Sequence, residues 1–252
     1  MTWFCDLDGV VWLAGRPIPG APEAIARLRA AGERVVFVTN NSSATVAHQE
    51  ATLAAAGVPA EGDVITSAQA AARLLAPGST ALVCGGPGVE EALTIRGVTT
   101  VATGDADAVV VGFTTDFDYE RLRLAHRAVW RGARLIGTND DATYPTPEGP
   151  IPGGGALLAA VATAAGVTPT VAGKPFAPMA DLARDLVGQG AHTVVGDRPS
   201  TDGRFARALG ARFALVLSGV TTAADLPVEP VPDLVAPDLA TLVDLVLARV
   251  AQ

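Results

Sequence analysis

The sequence predicts an α/β protein built on a doubly wound, mainly parallel sheet, and three observations predict it. Short apolar, β-branched runs alternate with longer stretches of helical apolar spacing. Glycines and prolines punctuate the joints between the two kinds of segment. Several of the short runs stop on an aspartate or a threonine. Alternating strands and helices bury both faces of a parallel sheet, and ligands bind beyond the carboxyl ends of its strands, where the strand order reverses.

Taken in order, Trp3–Cys5 reads as a strand ending at Asp6, and Pro22–Ala31 as a helix with Ile25 and Leu28 on one face and Gly32 as its stop. Val35–Val38 is too short for a helix and ends at Thr39. Ser43–Ala56 is helical up to Gly57, Val64-Ile65 is a strand, and Ser67 is placed to cap a helix running to Leu75. A second block follows Pro77-Gly78, with strands Ala81–Cys84, Ala108–Phe113 and Arg134–Gly137 and helices Val89–Arg96 and Tyr119–Trp130. A loop of turn residues, Asn139–Gly155, leads into a helix at Ala156–Ala165. After a short Thr170-Val171 segment, the first pattern resumes with strand Thr193–Gly196, helix Arg204–Leu209, strand Phe213–Leu217 and a short strand at Leu234-Val235. The final helix starts from Asp238 as N-cap and presents Leu239, Leu242, Val243, Val246 and Val250 at helical spacing.

Composition narrows the function. The chain has 252 residues, 49% of them hydrophobic, which supports a full core and excludes bulk disorder. A net charge of −8 makes it a poor partner for nucleic acid or an anionic membrane. Two cysteines, Cys5 and Cys84, exclude a disulfide scaffold and a structural zinc finger. The N-terminal residues carry no base before Asp6 and no long apolar run, and prolines and glycines break the longest uncharged stretch, 150–173. A soluble, cytoplasmic protein is expected.

The strand ends carry the chemistry. Asp6 and Asp8 follow the first strand, Thr39-Asn40-Asn41-Ser42 the second, and Asp197 and Asp202 the strand at 193–196, while Lys174 follows Thr170-Val171. Four carboxylates on one rim repel one another unless a cation sits among them. All-oxygen donors without clustered histidines suit Mg²⁺ rather than zinc. One lysine and one threonine beside such a cation make a phosphate site.

These segments resemble the four motifs of the haloacid dehalogenase superfamily: Asp6-Leu7-Asp8-Gly9-Val10, then Val38-Thr39-Asn40-Asn41-Ser42, then Gly173-Lys174-Pro175, then Gly196-Asp197 through Asp202. They occur in order, each beside an expected strand. Thr138–Pro145 and Ile151–Gly155 resemble the cap segments of the NagD-like phosphatase subfamily, with Asp140 and Pro199-Ser200 departing from commoner residues. The resemblance implies a Rossmann-like core, 1–77 and 173–252, with an inserted α/β cap, 78–172, that closes over the site and in this family often dimerises. It implies a Mg²⁺-dependent phosphatase of small phosphomonoesters. Asp6 would be the nucleophile that forms an aspartyl phosphate, and Asp8 the general acid and then base. Asp6, the Asp8 main-chain carbonyl, Asp197 and, as an outer ligand, Asp202 would hold the metal. Thr39, Asn40, Asn41 and Lys174 would bind substrate, with Thr39, the Asn40 backbone and Lys174 on the phosphoryl oxygens.

Each piece alone has a blander reading. Asp-Leu-Asp-Gly is a common turn, Thr39 could be a helix cap and Lys174 a solvated surface residue; Lys174 is, however, the only lysine in the chain. Gly85-Gly86-Pro87-Gly88 reads as a turn opening a helix, since Glu91 occupies the place of a dinucleotide loop's third glycine. The arginines 121, 123, 127, 131 and 134 read as a solvated helix face. A phosphotransferase or mutase on the same core, and a receiver-like phosphorylation module, are the rival functions. The second is usually half this length and lacks a cap. Within 78–172, six arginines against ten carboxylates leave a balance of −4. That charge favours leaving groups that are neutral and rich in hydroxyls over leaving groups that carry a second anion.

Overall fold

The computed structural model describes residues 1–13, 16–144, 146 and 148–250. Pro145 of the cap segment and the side chain of Val250 lie outside the described residues. In chain order the elements begin with β1 (Thr2–Cys5), β2 (Trp12–Leu13), β3 (Arg16–Pro17), α1 (Ala21–Ala30), β4 (Arg34–Thr39), α2 (Val46–Ala55), β5 (Val64–Thr66) and α3 (Ser67–Ala72). They continue with β6 (Thr80–Cys84), α4 (Pro87–Ile95), β7 (Thr99–Val101), β8 (Ala108–Val111), α5 (Tyr119–Trp130) and β9 (Arg134–Gly137). The next are β10 (Thr143–Tyr144), β11 (Ile151–Pro152), α6 (Gly154–Ala165), β12 (Thr170–Val171) and α7 (Ala177–Val187). The chain closes with β13 (His192–Gly196), a π-helical turn (Pro199–Gly203), α8 (Arg204–Leu209), β14 (Arg212–Val216), β15 (Leu234–Ala236) and α9 (Leu239–Val250).

Two compact units form. The first comprises residues 1–39, 49–65 and 180–252. Its six-stranded sheet has the order β15-β14-β13-β1-β4-β5. β1 runs parallel to both β4 and β13, and the parallel pairing continues through β14 to β15. The chain moves outward from β1 on one side, then returns and moves outward on the other, so the order reverses at β1. β1 and β13 are buried along their whole length, as a strand covered on both faces must be. Phe4, Phe37, Phe205 and Phe213 are fully enclosed, each contributing about 1.5–3 kcal/mol of burial. α1 and α9 pack together, Ile25, Leu28, Leu239 and Leu242 on them are buried, and Asp238 caps α9 by accepting from Thr241 N at 2.7 Å.

The second unit comprises residues 40–48 and 66–179. Its five strands, ordered β12-β9-β8-β6-β7, are parallel throughout. α5 and α6 cover it through Ala125, Ala128, Val129, Leu158 and Val161. Gly137 lets α6 lie close, because a Cβ there would run into the Leu158 side chain.

Several expectations change. Residues 40–48, 66–77 and 173–179 group with the second unit: the Asn40 loop bonds to Asn139 and Lys174, and α3 packs on α4. The cap of α3 is Thr66, in a reciprocal box with Gln69, and Ser67 instead donates its hydroxyl to the Asn40 carbonyl at 2.8 Å. β7 and α7 stand where no element was expected. Among the described residues no helix is long and apolar enough to cross a membrane.

Candidate active site

The first unit places carboxylates at its reversal point. β1 ends at Asp6, whose N–H continues the ladder to the Val195 carbonyl at 2.9 Å. Asp197 follows β13 directly, and Asp202 lies on the π-helical turn. One carboxylate oxygen from each of Asp6, Asp197 and Asp202 lies within 4.8 Å of the other two. Asp197 and Asp202 are 2% and 1% exposed, so this is no solvated acidic patch. Three hard oxygen donors converging at that distance fit a divalent cation of the Mg²⁺ or Ca²⁺ kind.

Backbone holds these acids in place. Val220 N donates to Asp197 Oδ2 at 2.6 Å, Arg198 N to Asp202 Oδ2 at 3.1 Å, and Leu7 N to Asp6 Oδ1 at 2.8 Å. Gly9 has φ 82°, and a Cβ there would sit 2.5 Å from Asp197 Oδ2 and 3.0 Å from Gly219 Cα. Only glycine allows both that dihedral and that approach. Ser218 donates its hydroxyl to the Gly9 carbonyl at 2.7 Å, tying the loop after β14 to the loop after β1.

Asp8 lies two residues beyond Asp6 on the same loop. Its Oδ1 accepts the Trp12 indole N–H at 3.1 Å. Thr39 ends β4, the neighbour of β1, and is buried.

The second unit assembles the remaining expected residues. Asn40 clamps Lys174: its Oδ1 accepts from Lys174 N at 2.8 Å, and its Nδ2 donates to the Lys174 carbonyl at 3.0 Å. The same Nδ2 donates to Asp141 Oδ2 at 2.9 Å, and the Asn40 carbonyl accepts from Asn139 Nδ2 at 2.6 Å. Gly173 leaves room for this, since a Cβ would lie 2.5 Å from Asn40 Oδ1. Lys174 is 2% exposed, so it is not the solvated surface lysine of the bland reading. Asn41 Oδ1 accepts from Ser43 N at 3.0 Å in an Asx turn, and its amide donates to the Tyr144 hydroxyl at 3.4 Å.

Asp6, Asp8, Thr39, Asp197 and Asp202 thus gather in the first unit, and Asn40, Asn41 and Lys174 in the second. Sequence reasoning missed Trp12, gave Asn139 no part beyond membership of a cap segment, and missed the Ser218–Val220 loop. The last was within reach, because it follows the strand at 213–217, one more strand end. The arginines of α5 do pair on the surface: Arg121 with Asp116, Arg123 with Glu120 and, after the helix, Arg131 with Asp105.

A doubly wound parallel sheet with carboxylates gathered where its strand order reverses defines a class of hydrolytic and group-transfer proteins. Models of that class match the chain twice, as a haloacid dehalogenase-like hydrolase over residues 3–99 and as a HAD-hydrolase-like region over 171–242. D-glycerol 3-phosphate phosphatase of Mycobacterium tuberculosis is 39% identical over 250 residues, covering 94% of this chain and 69% of that protein. Crystal structures of glycerol phosphate phosphatase from the same organism, solved in complex with calcium and with magnesium, superpose with a TM-score of 0.89 at 36% identity, covering 96% of this chain and 74% and 75% of those chains. p-Nitrophenyl phosphatase from Archaeoglobus fulgidus also reaches 0.89, at 32% identity, covering 97% of this chain and 98% of that one. The chain belongs to the haloacid dehalogenase-like hydrolase family.

Proposed function

We propose that this hydrolase is a Mg²⁺-dependent phosphatase that acts on small phosphomonoesters of the polyol type, glycerol phosphate foremost. The observation that carries the reading is the Asp6–Asp197–Asp202 cluster at the sheet's reversal point, with Asp197 and Asp202 buried and Asp8 on the same loop as Asp6. The relatives named as glycerol phosphate and p-nitrophenyl phosphatases support it, and so does the magnesium complex of one of them.

Asp6 attacks phosphorus as a carboxylate, needing no auxiliary base at neutral pH. The phosphorus–oxygen bond to the leaving group breaks, and the departing oxygen takes a proton from Asp8. Asp8, now a carboxylate, removes a proton from the water that attacks the aspartyl phosphate. Phosphate leaves and Asp6 is restored. Asp6, Asp197, Asp202 and the Asp8 carbonyl would hold Mg²⁺, which when bound supplies positive charge to the phosphoryl oxygens. Thr39, Asn40, Asn41 and Lys174 have substrate-binding roles in the same reading, with Thr39, the Asn40 backbone and Lys174 as phosphoryl-oxygen ligands. The acidic balance of 78–172 favours a neutral hydroxylic leaving group, which can donate to carboxylates such as Asp140.

Paired kinetics on glycerol 3-phosphate and phosphoglycolate test the substrate class, with Asp6→Asn as the control for the chemistry. We expect a higher kcat/KM for glycerol 3-phosphate and a loss of about 10³-fold or more in Asp6→Asn. A preference for phosphoglycolate overturns the charge argument, and Asp6→Asn activity within tenfold of wild type overturns the nucleophile.

A further inference from the structure

The Trp12 indole contacts no reacting atom in the mechanism above, yet it bonds the group that moves the proton. We propose that Trp12 is a positioning residue for the proton shuttle: its Nε1–H fixes one oxygen of Asp8, so that the other oxygen carries the proton passed to the leaving group. The inference rests on the reading of Asp8 as general acid and base.

The loop is wound to bring the two side chains together. The Leu7 carbonyl accepts from Val10 N at 3.3 Å, Val11 N at 2.9 Å and Trp12 N at 3.1 Å, while Gly9 N donates to the Trp12 carbonyl at 2.7 Å. Trp12 then enters a short antiparallel ribbon, Trp12 opposite Pro17 and Leu13 opposite Arg16, and Ile18 N closes onto the Val11 carbonyl at 2.9 Å. The indole is 7% exposed, so packing holds its ring as the backbone holds its Cα. Leu7, Val10 and Val11, also buried on this loop, have no side-chain proton to donate.

The chemistry of the donor sets the assignment. An indole N–H donates and never accepts. The carbonyl-type oxygen of a carboxyl group accepts more strongly than its hydroxyl, so the bond favours Asp8 Oδ1 as the acceptor in both halves of the reaction and the travelling proton on Oδ2. In the first half, the Oδ2–H bond breaks as the leaving oxygen gains that proton. In the second, Oδ2 takes a proton from water as the new phosphorus–oxygen bond forms. A carboxyl group free to rotate about its Cβ–Cγ bond would spend part of its time with the proton turned away. A buried tryptophan also needs an acceptor for its own sake, and the experiment must separate that purely structural role.

Trp12 is replaced by β-(3-benzothienyl)alanine, which keeps the bicyclic shape and removes only the N–H, and in parallel by Trp12→Phe; Asp8→Ala is the reference. kcat/KM is measured for glycerol 3-phosphate, whose alkoxide needs a proton, and for para-nitrophenyl phosphate, whose leaving group does not. Losing a hydrogen bond to a charged group predicts a fall of about 10- to 100-fold for glycerol 3-phosphate and of less than about threefold for para-nitrophenyl phosphate. Equal losses on both substrates, or none, in the benzothienyl protein while Asp8→Ala discriminates between them overturns the role of Trp12 alone. If Asp8→Ala itself fails to discriminate, the general-acid reading falls and the positioning role falls with it. Should Trp12→Phe fold poorly, the benzothienyl protein decides.

Discussion

Removing the Asn40 side chain should cost the second unit about 2–4 kcal/mol. The amide makes two bonds to the Lys174 main chain, at 2.8 and 3.0 Å, and one to the Asp141 carboxylate at 2.9 Å. Neutral bonds contribute about 1 kcal/mol each and a bond to a charged group about 1.5–3 kcal/mol. Their sum is reduced by roughly 1 kcal/mol of side-chain entropy regained and by water reaching the half-exposed end of the amide. It is raised because Asn40→Ala leaves a polar N–H and C=O stranded at Lys174, which is 2% exposed. Calorimetry should record a drop of roughly 4–16 °C in the transition of this unit. Asn40→Asp sharpens the test: it keeps the acceptor for Lys174 N, loses both donations and sets a carboxylate against Asp141, so it should destabilise at least as much at pH 7. Asn40→Ala within 0.5 kcal/mol of wild type, on the order of the scatter for surface changes, would refute the clamp.

Two further outcomes follow from geometry already described. Chelator should silence phosphatase activity and Mg²⁺ restore it, whereas Ca²⁺ should bind without supporting turnover, because its looser coordination aligns phosphate poorly; full activity in excess chelator contradicts the carboxylate cluster. Burial pushes the Cys84 thiol up to about 11, with the nearby Arg121 charge opposing only part of the shift. At pH 8 its thiolate fraction is then about one in a thousand, and a thiol reagent should modify it rapidly only above about pH 10 or after denaturation; quick stoichiometric labelling of the folded protein at pH 8 would contradict that.

Much of this was legible in the sequence, and the reason is local. β1, β4, β13 and β14 are continuous apolar runs, and the residues that end them announce themselves by polarity against that background. β7 was not legible, because Thr99-Thr100-Val101 is short and its threonines are exposed. α7 was hidden by Pro175 and Pro178 near its start, where prolines read as loop although the first turn of a helix tolerates them. Thr66 and Ser67 are both good caps, and only the partner Gln69 decides between them. The contacts that shape the candidate site lie deeper: Asn40 meets Asp141 and Lys174 across 101 and 134 positions, and no periodicity reports that. Trp12 and Asp8 are only four apart, but their bond depends on a loop conformation that a strand-and-helix reading leaves blank.

The central strand also orders events in time. β1 is made well before its partner β13, which pairs His192 with Thr2. During synthesis the second unit, whose last residue is 179, can leave the ribosome before β13 emerges from it. Asp6 therefore waits through the synthesis of the second unit for Asp197 and Asp202. A chain released before β13 carries Asp6 without the acids that complete the carboxylate cluster, so under the proposed mechanism such a product is chemically silent.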